Sequence, residues 1–369
     1  MDPGRVGPQH LQVRGLIKSF GPERAVDDIS FGIAPGKFLT LLGPSGCGKT
    51  TTLMCIAGLH RLDAGEIRVG GALYSSVADS VFLPPEKRDI GMVFQSYAIW
   101  PHMTVAENVA YPLAIRRVAR AEIDGRVAEV LRLTGLLELA GRLATQLSGG
   151  QQQRAALARA IVFRPTLLLF DEPLSNLDLK LRERMRIELK RIQREVGITS
   201  VYVTHDQAEA LVMSDEIIVM SQGRIQQVGG PHAIYARPAN RYVSNFIGVA
   251  NLLPGQIVRV TAPGRGEIEI RQGAECVRLP CRLGDGLIEG MSAVLSVRPE
   301  SVTVLREHST EPRLEGEVVH SIFLGNCLDC RVRWADFEWK VLAHPRERFR
   351  PGERVFLRLD AQHTLAVRP

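Results

Sequence analysis

A phosphate-binding loop is the feature that most constrains this fold. The segment GPSGCGKT spans residues 43 to 50 and follows the apolar, strand-like run FLTLL at 38 to 42. Glycines in such a loop let backbone N–H groups surround phosphate oxygens, and the following helix adds the positive end of its dipole. The pattern predicts an α/β fold that binds a phosphate-bearing anion such as a nucleotide. The residues expected to line the nucleotide are Gly43, Ser45, Gly46, Cys47, Gly48, Lys49, Thr50 and Thr51.

Two of these side chains have expected chemical roles. Lys49 reaches the β- and γ-phosphates, and the Thr50 hydroxyl is placed to ligate Mg²⁺. The alternative is a glycine-rich turn before an ordinary helix. The preceding strand and following helix favour the phosphate loop, because that motif requires this context.

A second motif, LLLFDEP at 167 to 173, predicts a buried strand with two acids at its carboxyl end. Ligands of open α/β sheets bind at that end of the strands. We expect Asp171 to hold Mg²⁺ and Glu172 to orient or deprotonate the attacking water, since phosphoryl transfer depends mainly on positioning and charge. A solvated acidic pair is the alternative, and the presence of Lys49 disfavours it.

The third motif, LSGGQQQR at 147 to 154, resembles the signature of the ATP-binding cassette family. The resemblance implies that Ser148, Gly149 and Gly150 face the γ-phosphate of ATP bound to a second subunit. A helix that begins near Gly150 would direct its positive end outward, which is compatible with that role. Taken alone, the segment is also typical of an ordinary helix start.

Four further positions match the family pattern. Gln95 resembles the residue that contacts Mg²⁺ and the attacking water, and His205 resembles the switch histidine at the γ-phosphate. Ser175 to Asp178 resemble the loop through which paired cassettes sense each other, and Phe20 resembles the aromatic that stacks on adenine. The alternatives are a polar strand terminus for Gln95 and His205, and core packing for Phe20.

The pattern of elements predicts two domains, at 1 to 235 and 236 to 369. From about Leu11 to Gln227, strand-like and helical runs alternate, as in a mostly parallel sheet with crossover helices. A helical subdomain at about 96 to 150 is expected to contain helices at 105 to 115 and 121 to 139. A basic helix follows at 179 to 196, and another helical stretch is expected at 231 to 246. Residues that could contact a membrane subunit, or belong to the core, are Tyr97, Trp100 and Met103.

The carboxyl-terminal third reads as short strands broken by Gly and Pro, which predicts an all-β domain. Its segments SVRPES at 296 to 301 and GEVVHSIFLGN at 316 to 326 resemble the OB-like regulatory domain of maltose-, polyamine- and iron-type import ATPases. The expected fold is thus a P-loop cassette with an inserted helical subdomain and a carboxyl-terminal OB-like domain.

Composition excludes a channel-forming chain. Hydrophobic residues make up 45% of the sequence, yet no apolar run approaches the ~18 residues that span a bilayer. The amino terminus lacks the apolar stretch of a secretion signal, so we expect a cytosolic protein. The net charge of +6 suits an anionic surface or nucleic acid, but much of the positive charge lies on the solvated face of the helix at 179 to 196.

The six cysteines do not form a secretory framework, and reduced thiols are expected. A zinc site built from Cys276, Cys281, Cys327 and Cys330 is disfavoured, because residues three apart on a strand lie on opposite faces. Cys47 lies inside the phosphate loop. Thiol reagents are therefore expected to block nucleotide binding there.

The family resemblance implies the energy-coupling ATPase of an importer. Two copies would form a head-to-tail dimer around two ATP molecules and Mg²⁺, attached to transmembrane permease subunits on the cytoplasmic face of the membrane. A solute-binding protein would be an indirect partner, and an iron(III), polyamine or related solute is favoured. The rival is a soluble nucleic-acid-associated cassette ATPase. The single cassette, without a long insertion before Asp171, disfavours it. A carboxyl-terminal docking platform for a cytosolic regulator would coexist with transport.

Overall fold

The structure is a computed structural model that describes residues 10 to 306 and 314 to 369. It divides into two compact units, one that ends at Pro231 and one that runs from His232 to Pro369. The sequence placed this boundary after residue 235. The division comes earlier, at a helix that starts with Pro231, where proline is favoured because its missing N–H is not needed. The expectation about a secretion signal concerns residues 1 to 15, of which residues 1 to 9 lie outside the described residues.

The first unit contains both strands and helices. Within the described residues, these strands are β1 (Leu11–Phe20), β2 (Glu23–Ile33), β3 (Phe38–Leu42), β4 (Ala64–Val69), β5 (Ala72–Ser76), β6 (Val81–Phe82), β7 (Ile90–Val93), β8 (Leu167–Asp171), β9 (Thr199–Thr204), β10 (Glu216–Ser221) and β11 (Arg224–Gly229). The helices are α1 (Lys49–Ala57), α2 (Val105–Ile115), α3 (Arg120–Leu133), α4 (Gly149–Ile161), α5 (Leu179–Val196) and α6 (Gln207–Met213).

The main sheet has the order β11-β10-β3-β9-β8-β7, and every pair in it is parallel except β10 with β11. All residues of β3 and β9 are buried, as parallel strands covered on both faces require. A second sheet, β2-β1-β4-β5-β6, is antiparallel throughout. The expectation of one mostly parallel sheet was therefore incomplete. The alternation of polar and apolar residues in these strands, which leaves one face exposed, was the signal for the second sheet.

Helices fill the stretch between β7 and β8, as predicted. Thr104 begins α2 with a capping box, in which its hydroxyl accepts from the Glu107 N–H and the Glu107 carboxylate accepts from the Thr104 N–H. The prediction of one helix from 121 to 139 was wrong, because α3 ends at Leu133. Gly135 then takes a left-handed conformation, with φ of 65°, and only a short 3-10 turn follows at Leu137–Leu139.

The three residues predicted to contact a membrane subunit or to belong to the core differ in burial. Tyr97 is buried in the core of the first unit, so the core alternative is correct for this residue. The Arg159 guanidinium donates to the Tyr97 carbonyl at 2.9 Å and stacks on the Trp100 ring at 4.6 Å. Trp100 and Met103 are half-buried and remain candidates for a contact surface.

The basic helix α5 has the predicted bounds and the predicted amphipathic pattern. Met185, Leu189 and Ile192 are buried. Four of the seven lysines and arginines of α5 are exposed, whereas Arg186 and Lys190 are buried. Asp178 caps its first turn and Gly197 ends it in a left-handed conformation. Within residues 10 to 306 and 314 to 369, no helix combines the length and apolarity that crossing a bilayer requires.

The second unit opens with two short helices, α7 (Pro231–Ala236) and α8 (Arg241–Phe246). The single helical stretch expected at 231 to 246 was wrong, because Asn240 caps a new helix there. Its described strands are β12 (Asn251–Ala262), β13 (Arg265–Gln272), β14 (Glu275–Leu283), β15 (Ser292–Val297), β16 (Val302–Leu305), β17 (Leu314–Phe323), β18 (Leu328–Trp334), β19 (Phe337–Ala343), β20 (Arg354–Leu359) and β21 (Thr364–Val367).

These strands form a closed barrel, β12-β13-β14-β21-β15, and a sheet of order β16-β20-β17-β18-β19. One hydrophobic cluster fills both, with Trp339 fully buried within it. The predicted all-β, OB-like architecture is confirmed. Cys281 and Cys330 are buried, Cys276 is exposed and Cys327 is half-buried.

Candidate active site

The topology brings the predicted catalytic segments to one edge of the main sheet. Strands β3, β9, β8 and β7 are consecutive neighbours and parallel, so their carboxyl ends meet at the same edge. The phosphate loop follows β3, His205 follows β9, Asp171 ends β8 and Gln95 follows β7. Four segments that are far apart in sequence therefore converge at the edge where such sheets bind ligands.

Two glycines of the phosphate loop have no room for a side chain. A Cβ on Gly48 would lie 2.3 Å from the Ala25 carbonyl oxygen, and the residue has φ of 98°. A Cβ on Gly43 would lie 2.5 Å from both the Cys47 sulfur and the Met220 carbonyl oxygen. Gly46 also has positive φ, of 80°, but faces open space. The tight turn itself thus explains the glycines at 43 and 48, and Gly46 leaves backbone exposed at the loop tip beside Ser45.

Lys49 is held inside the loop. It is only 5% exposed, and its ammonium donates to the carbonyls of Gly43 and Pro44, both at 2.8 Å. These are neutral partners, so the positive charge remains available for an anion. Cys47 is buried beside it, with the sulfur 3.8 Å from the lysine nitrogen. Burial raises the pKa of the Cys47 thiol, although Lys49 opposes that rise.

Two of the three expected Mg²⁺ ligands, Thr50 and Asp171, already contact each other. The Thr50 hydroxyl donates to an Asp171 carboxylate oxygen at 3.0 Å. Burial raises the pKa of Asp171 and the neighbouring Glu172 charge adds to this, while Thr50 and Lys49 lower it. A half-buried carboxylate with a neighbouring hydroxyl is a set of hard oxygen donors, which suits Mg²⁺. Thr50 and Asp171 therefore suit the binding of Mg²⁺.

Glu172 and His205 form a pair beyond these ligands. The His205 Nδ1 lies 3.0 Å from a Glu172 carboxylate oxygen. Glu172 has φ of 43°, which is uncommon for a residue with a side chain, and its N–H donates to the Val203 carbonyl at 3.1 Å. The neighbouring strand thus holds Glu172 in a strained conformation that fixes the carboxylate near His205.

The segment Ser175 to Asp178 links these residues to Gln95. The Asn176 side chain donates to the Gln95 carbonyl at 3.1 Å, and the Gln95 side chain is exposed at the same edge. Asp178 caps α5, where its carboxylate accepts from the Leu181 N–H at 3.1 Å. Asp178 therefore has a structural role, and its expected role at the nucleotide site shared by two copies stays a prediction.

The signature segment is separate from the phosphate loop of its own chain. Ser148 precedes α4, and its N–H donates to the Gln151 side chain at 2.8 Å. A Cβ on Gly150 would lie 3.1 Å from Leu181, so the start of α4 packs on the start of α5. Among the described residues, no hydrogen bond joins residues 148 to 150 to residues 43 to 51. Ser148 and Gly149 are exposed and free to face another molecule.

Phe20 lies on the surface. It is 47% exposed and contacts the His60 ring edge-on at a centroid distance of 5.4 Å. The alternative that assigned Phe20 to the core was wrong. An exposed ring is available to stack on a base, which is the role the resemblance implies.

Sequence reasoning missed the residues that support His205. Asp206 caps α6 by accepting from the N–H groups of Ala208 and Glu209, at 2.8 and 3.1 Å. The buried Glu209 carboxylate accepts from the hydroxyls of Tyr202 and Thr204, at 2.8 and 2.7 Å. An acid before a helix with another acid three residues later is a recognisable helix-start signal, which makes Asp206 and Glu209 identifiable in hindsight.

Comparisons with known proteins agree with this geometry. A family model described as ABC transporter matches residues 26 to 175, and a TOBE domain model matches residues 295 to 367. The spermidine/putrescine import ATP-binding protein PotA of Pseudomonas aeruginosa is 46% identical over 329 residues, which cover 86% of each chain. The chain belongs to the ABC import ATP-binding protein family. It is therefore an ATPase of the ABC transporter type.

Other family members carry different names. The Fe(3+) ions import ATP-binding protein FbpC of Rhizobium etli is 44% identical over 346 residues, or 94% of each chain. The trehalose/maltose import ATP-binding protein MalK of Thermococcus litoralis is 49% identical over 287 residues, covering 77% of this chain and 76% of its own. The solved structure of cbiO1 from Clostridium perfringens, part of the ABC transporter complex cbiONQ, matches with a TM-score of 0.57 at 28% identity. That match covers 62% of this chain and 91% of cbiO1.

Proposed function

We propose that two copies of this ATPase clamp two ATP molecules head to tail and drive solute uptake through transmembrane permease subunits. The observation that carries the proposal is the division of the site. Lys49, Asp171, Glu172 and His205 belong to one sheet edge, whereas the signature residues make no hydrogen bond to the phosphate loop within the described part of the chain. Ser148 and Gly149 are exposed and Gly150 is buried. A second copy supplies the missing signature to each site.

In each site, the buried Lys49 ammonium binds the β- and γ-phosphates, since its present partners are two neutral carbonyls. Thr50 and Asp171 would hold Mg²⁺, with Gln95 nearby. The ion supplies charge neutralisation of the phosphate oxygens. Burial of Asp171 favours this role, because a cation relieves the cost of a desolvated carboxylate.

Glu172 orients or deprotonates the attacking water, and His205 holds the Glu172 carboxylate in place. Their 3.0 Å contact and the fixed backbone of Glu172 support this assignment. Pre-organisation matters here because positioning and electrostatics account for most of the catalysis of phosphoryl transfer. Phe20 stacks on adenine, and Ser148 with Gly149 and Gly150 bind the γ-phosphate held by the partner copy.

Permease subunits at the cytoplasmic face of the membrane are the proposed docking partners, with a solute-binding protein as an indirect one. The names of the relatives support an importer, because they include spermidine/putrescine, Fe(3+) and trehalose/maltose import proteins. Within that range we favour a polyamine, iron(III) or related solute. Half-buried Trp100 and Met103, just after Gln95, form the proposed contact surface for the permease.

The test is Mg²⁺-dependent phosphate release by the purified chain over a range of protein concentrations, beside Glu172→Gln. We expect specific activity to rise with concentration, and the substitution to lower kcat by about 10²- to 10⁴-fold, the usual contribution of a general base. ATP affinity should remain within about threefold, since Glu172 is not a phosphate ligand.

Two outcomes would contradict the proposal. Near-normal turnover by Glu172→Gln would remove Glu172 from the catalytic role. Strong stimulation by single-stranded DNA, with specific activity independent of protein concentration, would favour the nucleic-acid-associated alternative.

A further inference from the structure

The loop Ser175 to Asp178 contacts two of the catalytic segments directly. The Ser175 hydroxyl donates to the Glu172 carbonyl at 2.9 Å, and the Asn176 side chain donates to the Gln95 carbonyl at 3.1 Å. A third segment, the turn that carries His205, is connected to the loop through one side chain. That side chain is Arg182, on the first turns of α5.

Arg182 joins the loop to the His205 turn. One terminal nitrogen of its guanidinium donates to the Leu177 carbonyl at 3.0 Å and to the Ser175 carbonyl at 3.4 Å. The other donates to the Asp206 carboxylate at 3.5 Å. The guanidinium is planar, so the angle between its N–H donors is fixed. A shift of the loop carbonyls therefore changes the hydrogen bond to the Asp206 carboxylate, and the reverse also holds.

The turn on the far side of Arg182 is tightly tied to its own strand and helix. The Asp206 N–H donates to the Thr204 hydroxyl at 3.0 Å, and the Asp206 carboxylate caps α6. Thr204 in turn donates to the buried Glu209 carboxylate at 2.7 Å. His205 stands between Thr204 and Asp206, so displacement of the Asp206 carboxylate changes the position of the histidine.

We propose that Arg182 is a positioning residue that couples the loop Ser175 to Asp178 with His205. Contact of the second copy with the loop would fix the position of the Leu177 carbonyl. Through Arg182, that position would determine the orientation of His205 toward Glu172. The inference rests on the proposed dimeric ATPase, and it adds a route by which one copy adjusts catalysis in the other.

Arg186 provides an internal comparison. It donates to the same Asp206 carboxylate at 2.9 Å and lies 4.0 Å from Glu209. Among the described residues, it makes no hydrogen bond to the loop. Arg186 therefore holds the turn, whereas Arg182 spans the turn and the loop. Substitution of Arg186 therefore tests the support of the turn without the contact to the loop.

The experiment measures steady-state ATP hydrolysis and thermal unfolding of the full chain with Arg182→Gln and Arg182→Lys, each made alone and with His205→Ala. Lys180→Gln, an exposed position on the same helix, controls for surface charge. Arg186→Lys is the matched variant on the turn. Hydrolysis in the His205→Ala background is measured under single-turnover conditions, because that activity is low.

We expect Arg182→Gln to lower kcat about tenfold while KM for ATP stays within about twofold and Tm within about 2 °C, because only positioning is lost. Arg182→Lys should also fail to restore the rate, since an ammonium lacks the planar fork. In the His205→Ala background, either change should lower the rate by less than about twofold, because the residue through which Arg182 acts is gone.

Three outcomes would overturn the inference. These are a wild-type kcat for Arg182→Gln, an equal loss with and without His205, or a loss of rate matched by Lys180→Gln. If Arg182→Gln lowers Tm, the kinetics of Arg182→Lys, which keeps the charge, become the test of the inference. Failure of the proposed function is seen separately, as a wild-type chain whose activity ignores Glu172→Gln or protein concentration.

Discussion

The two units of the chain differ in where their polar residues gather. In the first unit, polar side chains gather where parallel strands end, and Lys49 keeps its charge among neutral carbonyls. In the second unit, buried polar groups serve the fold. Arg298, only 7% exposed, donates to the carbonyls of Ser244, Val249 and Tyr235. Asn251 similarly exchanges hydrogen bonds with the Lys340 backbone.

Backbone strain follows the same division. In the described part of the second unit, Ala335 is the only non-glycine residue with positive φ. In the first unit such residues include Glu172, and also Tyr97 and Ala98 just after Gln95. Strain of this kind persists where function requires a fixed geometry. The first unit therefore has strained residues at its candidate site. In the second unit, Arg298 and Asn251 use their side chains to stabilise the fold.

The largest effect is expected from Gly48→Ala. The new Cβ would meet the Ala25 carbonyl at 2.3 Å at a φ of 98°, so the phosphate loop must deform. We expect a loss of about 3 kcal/mol or more in unfolding free energy, together with loss of ATP binding. Gly46→Ala is the control, because its Cβ faces open space, and it should cost only about 1 kcal/mol. Equal losses measured by thermal unfolding would contradict the account of the loop.

A comparable loss confined to the second unit is expected from Arg298→Met. Three buried carbonyls lose their donor, which should cost about 3 kcal/mol in unfolding free energy. Hydrogen exchange resolved by residue should show the loss in residues 232 to 369, with ATP affinity unchanged. Arg354→Met, at an exposed position, should change stability by less than about 0.5 kcal/mol. A large loss of ATP affinity in Arg298→Met would erase the contrast between the units.

The cysteines offer a smaller, chemical contrast. Cys276 in the second unit is exposed, whereas Cys47 is buried and burial raises the pKa of its thiol. Because the thiolate is the nucleophile, iodoacetamide at neutral pH should modify Cys276 at least about tenfold faster than Cys47. The Cys47 rate should increase as pH rises, and its modification alone should reduce ATP binding. Mass spectrometry measures the rates of modification, and nucleotide titration measures the ATP affinity. An unchanged ATP affinity after modification of Cys47 would contradict the expected block of nucleotide binding.

The smallest effects concern two helix caps, one in each unit. Asp178 accepts from the Leu181 N–H and Asn240 accepts from the Val243 N–H. Substitution of either by alanine should cost about 1 kcal/mol in unfolding free energy. Only Asp178→Ala should also lower ATPase activity, because its loop is proposed to face the second copy. If both variants keep full activity, Asp178 is a cap and nothing more.

How far the sequence predicted the structure differs between local and long-range features. The phosphate loop, the strand that carries Asp171 and the bounds of α5 follow from local patterns of glycine, apolar and basic residues, and all are present. Family resemblance supplied Gln95 and His205, whose neighbourhood depends on the strand order β9-β8-β7. No local pattern encodes that order, because it arises when distant strands pair.

The errors have physical causes as well. The helix predicted to continue to 139 ends at Leu133, because Gly135 takes a left-handed conformation. The antiparallel sheet of the first unit was missed because its strands carry no chemical motif, although their alternation of polar and apolar residues was a signal for it. The bonds of Arg182 to Leu177 and Asp206 join positions on three elements, so a single sequence could not reveal them.

The central claim is that each active site combines the sheet edge of one copy with the signature of another. Ser148 is exposed, so Ser148→Arg should fold while its signature is blocked. This variant and Glu172→Gln should each be inactive alone. Mixed in equal amounts, they should recover up to about a quarter of wild-type ATPase activity, since half of the dimers are mixed and each holds one intact site of two. No recovery from a mixture shown to contain mixed dimers would contradict the shared site.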